Sequence, residues 1–299
     1  MDRIELRPLT IGETLDASFK LFTANLRKLL PLAAVVLVPI GILQLVLNAR
    51  IGSDFSFLES ALTEPPDPTV VFAPLGRLLG LGIATALLSL LGTLLVQAAA
   101  IRLYADLYQG RDTSWQDSLT FGISRFGPVL AASILSALGI GVGLLFYVIP
   151  GMWLYVSWWV VVPALLVERL GPAQALGRSF DLVKRRFWPT AGVAALAFLI
   201  VYVVQQIVGT IVSVAVLPTT LVQPVPDFGP ALAVTSAAQT IVNLFTVPFL
   251  AAAVTVTYFD LRVRLEAYDL ELMAEELREG DGPSEPPSGD DDPFGLDRP

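Results

Sequence analysis

Six long apolar blocks run along the chain, and three of them are preceded by a shorter stretch in which apolar positions recur at helical spacing. A helix needs about 20 mostly apolar residues to cross the roughly 30 Å hydrocarbon core of a bilayer. The blocks predict spans at 29–47, 78–98, 129–149, 151–167, 190–216 and 232–259. Only Pro150 and Gly151 separate the third from the fourth, which predicts a tight hairpin there. The fourth is short and carries Trp153, Tyr155, Trp158 and Trp159. Such rings favour the membrane–water boundary, so a re-entrant or strongly tilted segment competes with a full crossing. The first apolar run is too long for a signal-peptide core, and no small-residue cleavage site follows at Asn48, Ala49 and Arg50, so it reads as a retained span.

The shorter stretches share a pattern. Before the first span, Ile11, Leu15, Phe19, Phe22, Leu26 and Leu29 recur at steps of three and four, with Glu13, Asp16, Lys20 and Thr23 on the other face. Trp115, Leu119, Gly122 and Phe126 repeat this before the third span, and Leu176, Phe180, Val183 and Phe187 before the fifth. Ser18, Ser118 and Ser179 then fall at one common position, and Asn25, Arg125 and Arg186 at another. The predicted fold is therefore an all-α integral membrane protein, with six transmembrane helices arranged as three repeats of an interfacial amphipathic helix plus a membrane hairpin. With lipid beside them, the short helices are expected to lie at the cytoplasmic interface. The exits of the even spans agree: Tyr104-Ala105-Asp106-Leu107 after the second, Glu168 after the fourth, Tyr258-Phe259-Asp260-Leu261 after the sixth. The outer loop from Asn48 to Arg77 is expected to be long, because Pro65-Pro66-Asp67-Pro68 cannot be regular helix.

Composition narrows the function. Apolar residues make up 54% of the chain and charged residues 15%, with a mean hydropathy of +0.68. There is no Cys and no His, which excludes disulfides, zinc sites built on thiolate or imidazole, and His-dependent nucleophilic catalysis. The net charge of −8 belongs to the end of the chain: from Glu266 onward twelve acidic residues face only Arg278 and Arg298, a charge of −10, which leaves +2 for the rest. The chain thus divides into a six-span membrane domain, 1–270, and an acidic, Pro- and Gly-rich tail, 271–299, expected to be disordered. Phe294 and Leu296 within that tail suit docking to a basic cytoplasmic protein partner. The preponderance of Arg over Lys, with abundant Ala, Val and Leu, suits a bacterial genome.

Orientation follows from the basic residues. Seventeen of the nineteen lie before the first span, between the second and third, between the fourth and fifth, or after the sixth; only Arg50 and Arg77 lie on the other side. The rich side is expected to be cytoplasmic, with both termini there.

The predicted span interiors hold no Asp, Glu, Lys or Arg, groups that proton relays and ion-coupled transporters depend on. Their polar residues are Gln44, Gln97, Gln205, Gln206, Gln239 and Asn243, which read first as hydrogen-bonding links between helices; Gln205 with Gln206 is the pair to test as pore-lining. Gly76-x-x-x-Gly80 and Gly139-x-x-x-Gly143 permit close helix approach. The run Gly139-x-Gly141-x-Gly143 follows no strand and is not a nucleotide loop. The carboxylates Glu13, Asp16, Asp106, Glu168 and Asp260 could form acid–base pairs, but the expected role is structural pairing with Arg178, Arg185 or Arg262. No cofactor, metal or nucleic acid is expected.

Three stretches carry a resemblance to a bacterial family. They are Arg7-Pro8-Leu9-Thr10-Ile11-Gly12-Glu13-Thr14-Leu15-Asp16 with Phe19 and Phe22; Pro150-Gly151 through Pro163 and Glu168 to Ala175, Leu176, Arg178 and Ser179; and Tyr258-Phe259-Asp260-Leu261-Arg262-Val263-Arg264-Leu265-Glu266 with Asp269. The chain resembles the membrane domain named for glycerophosphoryl diester phosphodiesterases, which also occurs as a stand-alone membrane protein. The resemblance implies a six-helix membrane domain without phosphodiesterase activity, since the family's catalytic barrel depends on histidine. The expected function is a non-catalytic scaffold or accessory subunit in the bacterial cell envelope, in contact with membrane lipid. A passive channel, or a carrier of lipid or small amphiphiles, is the alternative.

Overall fold

A computed structural model describes residues 9–63, 68–221 and 229–266. Among them the secondary structure is entirely helical: α1 (Ile11–Ala24), α2 (Leu26–Thr63), α3 (Pro68–Tyr108), α4 (Trp115–Ser124), α5 (Phe126–Phe146), α6 (Val148–Ser157), α7 (Val161–Val167), α8 (Pro172–Lys184), α9 (Phe187–Leu221) and α10 (Gly229–Glu266). Six segments are long and apolar enough to cross a membrane, four of them within α2, α3, α9 and α10, one formed by α5, and one by α6 with α7.

Each of the short helices α1, α4 and α8 begins at a residue that the sequence equips to start a helix. Thr10 Oγ1 accepts from the Glu13 N–H at 3.3 Å while Glu13 Oε2 accepts from the Thr10 N–H at 2.8 Å. This reciprocal box satisfies two of the donors a helix start leaves open. Ser114 Oγ accepts from the Asp117 N–H at 3.1 Å. At α8, Pro172 occupies the first position and the Gln174 side chain accepts from the Gly171 N–H at 3.1 Å. Each short helix stops one or two residues before a span. At the first break the buried Asn25 donates its side-chain N–H to Leu21 O at 2.8 Å, which satisfies a carbonyl freed by the kink.

The inward faces of these helices hold much of the expected stripes, with Phe22, Leu176 and Val183 buried, as is Leu29 in α2, and add small polar side chains to them. Ser18, Ser118 and Ser179 are essentially fully buried, in line with Thr14 on α1, with Asn25 just after it and with Gly122 on α4, whereas Phe19 is 56% exposed. The reason is steric. Small side chains let helix axes approach closely, as Gly122 does against Ala99: a Cβ there would lie 3.1 Å from the Ala99 Cβ. Ser18 and Ser118 donate to Thr14 O and Ser114 O within their own helices, so burial leaves no hydroxyl unpaired.

Span boundaries also moved. The long outer loop is not found: α2 continues to Thr63 and α3 starts at Pro68, so the helices extend well past their apolar cores, and Pro68 takes the first helical position, which needs no N–H. At 1.5 Å per residue the 41 residues of α3 reach about 60 Å, twice the hydrocarbon thickness. Pro65, Pro66 and Asp67 lie outside the described residues, as does the acidic tail. The hairpin of the third and fourth spans turns at extended Tyr147, and Pro150 sits in the first turn of α6, where a proline is tolerated. The fourth span is two helices, α6 and α7, because Pro163 cannot donate to residue 159 and its ring crowds that carbonyl. Ser179 of α8 donates to Ser157 O at 2.9 Å and so covers a carbonyl exposed by the break.

Packing is densest where the short helices meet the spans. There α10 lies between α2 and α9, α3 covers α2 and α10, and α7 joins α3 to α8. Ala98, Ala99 and Ala100 of α3 and Ala251, Ala252 and Ala253 of α10 have no exposed surface. Toward the other end the outward faces are apolar, for example Leu79, Ile83 and Leu87 on α3 and Val203, Ile207 and Ile211 on α9. That is the surface a helix presents to lipid.

Candidate functional site

The charged side chains converge on the dense end of the bundle, where the second helix of each hairpin leaves it. Glu168, the last residue of the α7 turn, receives Arg178 Nε on both oxygens, at 2.9 and 2.8 Å. The Tyr258 hydroxyl of α10 donates to Glu168 Oε1 at 2.8 Å. Arg178 Nη2 reaches Glu266 Oε1 at 2.5 Å, and Arg262 Nε reaches Glu266 Oε2 at 2.9 Å. Five side chains from α8, α10 and the end of α7 thus form one chain of charge-assisted hydrogen bonds. Glu168 is 20% exposed and Arg178 27%, so solvent screens the pair only in part. Burial works against the Arg178 charge, but the bonds and charges of Glu168 and Glu266 outweigh it and hold the guanidinium above its ordinary value. Glu168 is placed by a backbone turn: Arg169 adopts a positive φ of 54°, and the Leu170 N–H closes on Leu165 O at 3.1 Å. This helix ending usually employs glycine at the left-handed residue.

A second cluster joins α10 to the chain entering α1. Arg264 Nε contacts both oxygens of Asp260 at 2.9 Å, Asp260 Oδ1 accepts from the Leu9 N–H at 2.8 Å, and Arg264 Nη2 donates to Leu9 O at 2.5 Å. One carboxylate and one guanidinium therefore satisfy both backbone groups of Leu9. A third cluster pairs Asp106 with Arg102 at 2.9 Å within α3; the contact lacks hydrogen-bond geometry at the buried Oδ1, and the Arg102 guanidinium lies 4.5 Å from the centre of the Phe121 ring. Tyr104, two residues before Asp106, donates to the carbonyl of Pro248 at 3.0 Å, and Tyr108 stacks on Phe259 at 4.6 Å. Between α2 and the entry to α4, Lys28 bonds Asp112 at 2.6 Å and holds that exposed carboxylate below its usual range.

The sequence-derived candidates separate accordingly. Glu168 and Arg178 meet as expected. Asp260 pairs with Arg264, not Arg262, because residues two apart on a helix face different directions and residues four apart share a face. Arg262 serves Glu266. The exposed Arg185 makes no ion pair with a described residue. Glu13 closes the cap of α1, and Asp16 forms an exposed pair with Lys20 at 2.7 Å. Gln206 lies on the outward face of α9 and Gln205 is half-buried beside it, neither with a side-chain hydrogen bond among the described residues. Gln44 does link helices, donating to Thr85 O at 3.0 Å, and Asn48 bonds Ser236 across α2 and α10. Sequence reasoning missed Tyr258, Arg264 and Glu266 as partners, although the i, i+4 spacings of 260 with 264 and 262 with 266 were signals for two of these pairs. Among the described residues no three His, Cys, Asp or Glu side chains group as metal ligands.

Six membrane-length apolar helices and a charged, ion-paired end define the class: a helical, multi-pass membrane protein. Comparison with protein-family models, with curated proteins and with solved structures finds no match.

Proposed function

We propose that the protein is a non-catalytic scaffold or accessory subunit in a bacterial cell envelope, built as three units of short helix plus hairpin, with the charged end and both termini on the cytoplasmic side. The observation that carries the reading is the use of the charged groups. Glu168, Arg178, Glu266, Arg262, Asp260 and Arg264 hold helix ends and a backbone to one another. Catalytic acids and transport relays instead keep a group available to a substrate or a proton path. The three-unit reading is supported by the three capped short helices, their buried serines and the carboxylate after each hairpin. The resemblance carried by the residues around Arg7, Pro150 and Tyr258 points the same way, and the acidic tail offers the docking arm.

Affinity purification in mild detergent tests this, comparing the full chain with one ending at residue 270. The expected result is a cytoplasmic protein that co-purifies stoichiometrically and is lost with the tail. The purified protein in liposomes should release no entrapped solute above the protein-free rate. Flux that depends on Gln205 or Gln206 would overturn the scaffold in favour of a channel.

A further inference from the structure

Beside the Asp260–Arg264 clamp, the starts of α1 and α9 leave an open groove of about 490 Å3. Leu9, Ile11 and Gly12 form one wall, and Arg186, Pro189 and Arg264 the other. A smaller cavity of about 20 Å3 lies against it and reaches the side chains of Thr14, Thr190 and Thr257. The two arginines are in different states. Arg264 is held by Asp260 and by the Leu9 carbonyl. Arg186 is half-buried, and its side chain makes no ion pair and no hydrogen bond among the described residues. Asp260, the carboxylate lining the inner cavity, is already shared between Arg264 and the Leu9 N–H. Among the described residues the groove therefore keeps one uncompensated positive charge between apolar walls.

Its position narrows the ligand. Arg186 immediately precedes Phe187, where the apolar run of α9 starts, and Trp188 beside it is 80% exposed. Trp at the end of an apolar helix marks the headgroup level. Beyond it α9 presents Leu196, Leu199 and Val203 outward, a path for acyl chains. A free phosphate would use the guanidinium and leave Leu9, Ile11 and Pro189 without a role. An anionic phospholipid uses both, its phosphate on Arg186 and its chains along α9. We infer that this groove is a binding site for an anionic phospholipid headgroup, with Arg186 as the phosphate-pairing cation.

The test is thermal unfolding of the delipidated full chain in neutral detergent, titrated with phosphatidylglycerol, with phosphatidylcholine or with inorganic phosphate. Phosphatidylglycerol should raise the unfolding temperature saturably, and the other two should not. Arg186→Gln should weaken the apparent affinity by about tenfold or more, as expected for loss of a charged hydrogen bond. Arg185→Gln, at an exposed neighbour outside the groove, should leave it unchanged. Gly12→Glu places a carboxylate at the groove wall, where a Cβ meets nothing within 4 Å, so it reads binding and not folding; it too should weaken the response. An unchanged response in both groove variants, an equal response to phosphatidylcholine, or full replacement by inorganic phosphate would overturn the assignment.

Discussion

Glu168 ties the end of α7 to α8 and α10. It holds Arg178 with both oxygens and accepts from Tyr258, on an element separated from it by 90 residues. Glu168→Gln keeps the shape but removes one of the two charges, Glu168 and Glu266, that compensate the partly buried Arg178 guanidinium. Breaking one partner of such a pair costs more than the pair's net contribution, because the remaining charge is left desolvated. The expected loss is about 1–3 kcal/mol, read as a lower unfolding temperature in detergent, with no change in any solute flux. Unchanged stability together with a lost flux would instead give Glu168 a transport role. Part of this site was legible in the sequence. A carboxylate after each second span, with arginines nearby, pointed to pairing, and Arg178 was a named partner. The link to Tyr258 and Glu266 was not legible, because nothing local relates positions so far apart. The Asp260 pairing could have been read correctly from helical spacing alone.

At the scale of elements, close approach separates two glycine motifs that look alike in sequence. A Cβ on Gly143 would lie 3.0 Å from the Gly151 backbone, and one on Gly139 would lie 2.4 Å from the Trp158 ring. Gly76 and Gly80 of α3 face open space, so the close approach their spacing permits is not used there. The spacing of small residues gives a face, but not whether another helix lies against it. Gly143→Ala should therefore force α5 and α6 apart and cost about 1–3 kcal/mol, as overpacking does. Gly80→Ala should be neutral or mildly stabilising, by at most about 1 kcal/mol, through reduced backbone freedom. Tryptophan fluorescence during thermal unfolding compares them; equal midpoints would refute the contact at Gly143. Helix positions were legible from apolar length and helical spacing, but the breaks at Asn25 and Arg125 were not, because the apolar pattern runs on through Leu26 and Leu29 and through Phe126. Helix ends were not, since α2 and α3 continue beyond the stretch in which apolar length is informative. Of the expected stripes Phe22, Leu29, Leu176 and Val183 are buried, whereas Phe19 turns outward, where lipid is as apolar as the core.

At the scale of the molecule, one end carries the ion pairs, the caps and the densest packing, and the other presents apolar faces. The clamp on Leu9 ties the start of the described chain to α10, and the Glu168 network ties α7 and α8 to the same helix. The first contact joins residues 251 positions apart, so both ends of the membrane domain lie on one side of the bundle. That agrees with an even number of spans. The proposed cytoplasmic placement of that side rests on the distribution of basic residues, seventeen against two. The chain contains no Cys, so single cysteines can be introduced into an otherwise unreactive background. The most direct measurement is labelling of Pro66→Cys and Ser284→Cys with a membrane-impermeant maleimide in intact cells and after permeabilisation. The account predicts labelling of residue 66 in intact cells and of residue 284 only after permeabilisation. Labelling of residue 284 in intact cells would contradict it, whether residue 66 reacts or not.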